Sequence, residues 1–190
     1  WWLLGLCFFW GVFGATFFAI LGNAVGEAFV ELGLGGIATQ QTMASTTASF
    51  VAPPVEESTK GAILLLVWAL SALWLKELDG PLDGAIYGGM VGLGFTLTED
   101  VLYVTSATLQ QGVGTGQLVF FLRTILGGLG HASFTAMTGI GIGIAAESRS
   151  VLVKLVVPIG GWMAAVGLHF LHNFLVTFWL AEGLGLLLKF

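Results

Sequence analysis

Of 190 residues, 56% are hydrophobic and only 9% charged, and mean hydropathy is +0.95, far too apolar for a water-soluble domain, in which about a quarter of residues carry charge. The net charge of −5 is thinly spread and forms no basic patch, which argues against nucleic acid as a partner. A lone cysteine, Cys7, rules out an internal disulfide. What remains is an all-α, polytopic integral membrane protein in contact with the lipid bilayer, and its 29 glycines suit helices that pack closely there.

The chain opens on Trp1 rather than Met and reads as a fragment or a trimmed chain. Its first run, Trp1 to Leu21, lacks the basic leader of a signal peptide and is long enough to span. Asn23 to Glu31 reads as a polar interruption. Leu32 to Ala52 reads as a second, weaker span whose Gln and Thr residues face other helices. Pro54 to Leu75 is the third, roughly 33 Å of helix with paired prolines at its start. A charged turn around Gly80-Pro81 leads to a fourth span, about Leu82 to Ser106. The fifth runs from Leu118 to Ala146 and the sixth from about Leu152 to Leu180. The expectation is about six transmembrane helices in one bundle, a single domain over 1–190. Lys76, Arg149 and Lys154 fall on one side of this alternation, which the positive-inside rule makes cytoplasmic, while Lys189 falls on the other.

Ionisable side chains inside spans cost several kcal/mol unless paired or hydrated, roughly 3 kcal/mol or more each, and so point to function. They are Glu56 and Glu57 with Lys60, Glu99 with Asp100, Arg123, His131, and His169 with His172. On its own, the Glu56–Glu57 pair reads equally as chemistry or as decoration of a helix N-terminus. Counting along the alternating spans brings the pair, Glu99, His131 and His169 to compatible depths. His169, His172 and Asn173 share a helix face at i, i+3 and i+4, a spacing that suits metal ligation or the holding of a water and an oxyanion. Lys60 and Arg123 read as charge partners for the carboxylates. The glycines from 127 to 143 read as packing residues.

Four ordered blocks over residues 50–176 resemble the PrsW family of intramembrane proteases. They are Glu56-Glu57-Ser58-Thr59-Lys60 (EExxK), Asp79 to Tyr103 containing Glu99-Asp100, Arg123 with His131 and Phe134-Thr135, and His169-Phe170-Leu171-His172-Asn173. Phe95–Glu99 and His169–Asn173 also resemble the FxxxE and HxxxN elements of the related CAAX prenyl endopeptidases. Asp100 stands where the family usually has Asn. The resemblance implies a multi-pass protein of a prokaryotic plasma membrane that hydrolyses peptide bonds of single-span, anti-sigma-factor-like substrates. Glu56 or Glu57 would be the general base. His131 and His169 would hold the water or a Zn2+ ion, with Glu99 and His172 as further metal ligands or Glu99 as a supporting carboxylate, and Asn173 would donate to the oxyanion. Chemistry with and without metal remains open at this point. A transporter or proton relay is the alternative the intramembrane acids and histidines allow. No inverted repeat supports it.

Overall fold

The computed structural model describes residues 1–75 and 77–180, all helices and short connections with no strand among them. Helix α1, Trp2–Leu34, runs unbroken through the expected polar interruption, with a π turn at Trp10–Ala15. Glu27 and Glu31 are one turn apart on an exposed face, so they do not end it. It stops at Gly35, and Gly36 takes the left-handed conformation (φ +90°) that only glycine adopts without strain.

Helix α2 covers 40–75 and corrects the sequence reading. The Thr39 hydroxyl caps it by accepting the Thr42 N–H at 3.1 Å. Leu32–Ala52 is therefore no separate span, and Pro54 starts nothing. Pro53 and Pro54 have no N–H to return to the carbonyls of Ser49 and Phe50, and the ladder just upstream widens into a π turn, Thr47–Val51, where the Ala52 N–H reaches the Thr47 carbonyl. Glu56 and Glu57 consequently lie in the middle of a long helix, away from any terminus a dipole argument needs.

Helix α3, Pro81–Gln111, begins after a turn closed by Ser71, whose Oγ accepts the N–H groups of Glu77 (2.9 Å) and Leu78 (2.8 Å). The expected fifth span is two helices. Helix α4 covers 113–126 and ends in a π turn, Phe121–Leu126, and α5, Gly130–Glu147, follows a short turn. His131 thus stands in the first turn of α5, not deep within a continuous span. Helix α6, Val151–Phe174, continues as a π segment to Leu180. Among the described residues, three runs are long and apolar enough to cross a membrane: Trp2–Leu34, Val113–Glu147 and Val151–Thr177. Helices α2 and α3, which carry most of the buried charge, are not among them.

Glycine sets the register. Gly80, Gly84, Gly88 and Gly92 recur every fourth residue along α3 and its lead-in. A Cβ on Gly84, Gly88 or Gly92 would strike the backbone carbonyl of Gly139, Thr135 or His131, and one on Gly143 would strike that of Gly80. The backbones of α3 and α5 therefore touch, antiparallel, along their length. Gly92 lies against His131, so Glu99, two turns further on the same face, comes within reach of the imidazole. Gly22 against Val55 and Gly26 against Val51 fix α1 antiparallel to α2, and Gly141 against Gly161 joins α5 to α6. An apolar cluster including Leu3, Cys7, Leu64, Val91 and Ile142 supports this frame. The turn before α3 and the end of α5 share one end of the bundle, where Gly80 adjoins Glu147. Arg149 and Lys154 belong to that end, while Lys76 and Lys189 lie outside the described residues.

Candidate active site

Helix α2 presents Glu56, Glu57 and Lys60 from one face, since positions i, i+3 and i+4 are neighbours. Lys60 and Glu57 have no exposed surface and Glu56 only 5%. Burial of three charges demands partners, because an isolated buried ion is prohibitively costly. Glu57 is fully satisfied. Its Oε1 lies 2.6 Å from the Lys60 ammonium and accepts the His169 Nδ1–H at 3.0 Å, and its Oε2 accepts the Thr135 hydroxyl at 2.9 Å. Glu56 is not. Its Oε1 accepts from the Asn23 amide at 3.2 Å, and its buried Oε2 has no hydrogen-bond partner among the described residues, the Lys60 ammonium lying 3.9 Å away.

A second network meets the first at His131. Lys60 Nζ donates to His131 Nδ1 at 3.1 Å and lies 4.2 Å above the Phe95 ring. An ammonium only donates, so the imidazole proton sits on Nε2, which donates to Glu99 Oε2 at 2.6 Å. The same oxygen accepts from Arg123 at 2.7 Å. Arg123, aimed inward from the π turn of α4, also donates to Asp100 Oδ1 at 3.1 Å and covers the Tyr103 ring at 4.0 Å. Asp100 completes its pairing with the Thr124 hydroxyl at 2.7 Å. The acid beside Glu99 therefore binds a cation of the chain itself, the guanidinium.

His169 is 1% exposed and stacks on Phe134, ring centroids 5.1 Å apart. Its Nδ1–H is committed to Glu57, so Nε2 carries a lone pair. That lone pair faces Glu56 Oε2 at 3.8 Å. Two acceptors this close require a proton, a doubly donating water or a cation between them. Glu56, His131 and His169 each offer a ligand atom, all within 4.8 Å of one another. Two imidazoles and one carboxylate form a donor set that suits a catalytic zinc ion. Each imidazole has its other nitrogen held by a carboxylate, the outer support such ligands need. The residues fit the ion.

Glu99 lies outside the ligand set and orients His131. His172 also lies outside it. Three residues along a helix leave it about 60° around from His169, and it is exposed, its ring 5.7 Å from that of Phe134. The Asn173 amide donates to the Ala48 carbonyl at 2.9 Å, pinning α6 to the π turn of α2. Asn23 and the Phe95 ring are contributors that no charge pattern reveals. The signal for the first was hidden by reading Asn23 as the start of a polar interruption, when the helix runs on through it.

No curated protein and no solved structure matches the chain. Set beside this cluster of buried carboxylates and histidines on apolar helices, the model of the PrsW family intramembrane metalloprotease matches residues 1–190, and the chain therefore belongs to that family of membrane-embedded proteases.

Proposed function

We propose that the cluster of Glu56, His131 and His169 hydrolyses a peptide bond in the membrane-spanning or adjoining part of a single-span, anti-sigma-factor-like protein, in a prokaryotic plasma membrane. The observation that carries this is the pair of unbridged acceptors, Glu56 Oε2 and His169 Nε2, 3.8 Å apart in a buried site. A water placed there donates to both. Glu56 Oε2 takes its proton as the oxygen attacks the carbonyl. Glu57, satisfied on both oxygens, holds His169 in the tautomer that keeps Nε2 free. Glu99, held in turn by Arg123, accepts the His131 Nε2–H and so fixes the lone pair of that ring on Nδ1. Asn173 keeps α6, and with it His169, against α2. Glu56, His131 and His169 are the side chains that would hold a divalent ion, and a carboxylate can divide ligation and proton acceptance between its two oxygens. Zinc, when bound, supplies Lewis acidity that polarises the carbonyl and acidifies water.

The test is cleavage of a model single-span substrate by purified protein in lipid nanodiscs. Glu56→Gln, His131→Gln and His169→Gln should each reduce the rate at least about 100-fold while the protein stays folded. Undiminished cleavage by all three overturns the assignment. Chelation should abolish activity and zinc restore it. Chelator-insensitive cleavage would remove the ion and leave the Glu56 chemistry standing.

A further inference from the structure

Resting on the reading of Glu56, His131 and His169 as ion ligands, we propose that the Lys60 ammonium is a built-in placeholder for the ion, occupying the His131 lone pair until a divalent cation displaces it. The ammonium lies 2.6 Å from Glu57 Oε1, 3.1 Å from His131 Nδ1 and 3.9 Å from Glu56 Oε2. It is wholly buried, and the Phe95 ring face closes its remaining side. It therefore neutralises the acidic centre from within.

His131 is the ligand that shows the conflict. Both its nitrogens are occupied, Nε2 by Glu99 and Nδ1 by Lys60. The Glu99 bond is the shorter, at 2.6 Å, and Arg123 holds the same oxygen, so that side of the ring is fixed. The bond that gives way is the one from Lys60. Lys60 has a second partner to fall back on, because its contact with Glu57 comes from its own helix at i+3 and does not depend on His131. His169 Nε2 and Glu56 Oε2 need no such release. Loading is thus a substitution of one cation for another at Nδ1. The metal-free protein keeps Glu57 paired and the His131 lone pair occupied, and ion affinity is set lower than the three ligands alone would give.

The probe is Zn2+ binding to the purified protein in nanodiscs, measured by competition with a chromophoric chelator. Lys60→Met removes charge and donor and should tighten zinc binding by about tenfold or more, since it removes a like charge a few ångströms from the ion. Lys60→Arg keeps both and should stay within about threefold of the parent protein. Equal or weaker binding by Lys60→Met overturns the proposal. Should Lys60→Met prove less stable than the parent without metal, its unfolding midpoint should still rise further with zinc than that of the parent, and an equal or smaller rise counts against the idea. In the parent protein, 15N spectra should show the Lys60 Nζ–His131 Nδ1 hydrogen bond lost at zinc saturation, and its persistence also overturns the proposal. Glu56→Gln and His169→Gln separate the two readings. If neither alters zinc binding, the ligand assignment fails and takes the placeholder with it. If both abolish binding while Lys60→Met changes nothing, the placeholder alone fails.

Discussion

Arg123 and Asp100 show how single residues carry the geometry of the site without touching its centre. The guanidinium bridges Glu99 and Asp100 and lies on Tyr103, so three side chains of α3 grip one side chain of α4. Removing it leaves two adjacent carboxylates facing each other in a poorly hydrated place. Arg123→Met should lower stability by about 1–3 kcal/mol, below the cost of breaking a fully buried pair because the Arg123 side chain is 30% exposed. It should also loosen His131 and slow cleavage. Asp100→Asn retains an oxygen for Thr124 or Arg123 and should cost less than about 1 kcal/mol. Thermal unfolding of the two variants in nanodiscs decides, and equal losses would mean that the charge of Asp100, rather than its oxygen, holds the arginine.

Helices deliver these residues through their packing, and the α3–α5 seam makes a sharp comparison. A Cβ at Gly88 would sit 2.5 Å from the Thr135 carbonyl, whereas one at the adjacent Gly89 meets nothing within 4 Å. Gly88→Ala should therefore destabilise by about 1–3 kcal/mol and impair cleavage by separating Glu99 from His131. Gly89→Ala should be neutral or stabilise by up to about 1 kcal/mol through helix propensity. Identical unfolding midpoints would show that the seam relaxes freely. The same elements explain what the sequence disclosed. Charged residues in apolar runs stand out, and Glu56, Glu57, Glu99, His131 and His169 lie close together in the structure, although the depths that grouped them in the sequence were counted from helix starts at Pro54 and Leu118 that the structure does not keep. Helix boundaries were not legible. Pro53-Pro54 looks like a start, but a π turn lets the helix continue through it. The polar stretch Asn23–Glu31 looks like a loop, but one exposed helical face accommodates its acids. The division of labour among the acids was also hidden, because only packing shows that Glu57 is satisfied on both oxygens and Glu56 on one.

At the scale of the molecule, continuity of α1 and α2 changes the crossing pattern. A span over Leu32–Ala52 would bury Ile37 in the bilayer. In the structure Ile37 lies in the turn between α1 and α2, which pack antiparallel. The ends follow from the registers already described. The turn before α3 adjoins Glu147, so Asp79 and Ser148 share one end, and the α1–α2 turn lies at the other. Glu56 then sits roughly 24 Å along α2 from one end and Glu99 roughly 27 Å along α3 from the opposite end, at 1.5 Å per residue. Both values place the carboxylates near the middle of the helix bundle, far from either end, where buried charges need partners. Single cysteines at Ile37, Asp79 and Ser148, in a Cys7→Ser background, read this directly with a membrane-impermeant thiol reagent applied to oriented vesicles. Asp79→Cys and Ser148→Cys should label from one face, the cytoplasmic one if Arg149 and Lys154 follow the positive-inside rule. Ile37→Cys should label from the other face. Protection of Ile37→Cys from both faces would restore a span over Leu32–Ala52 and return Glu56 and Glu57 to a helix start.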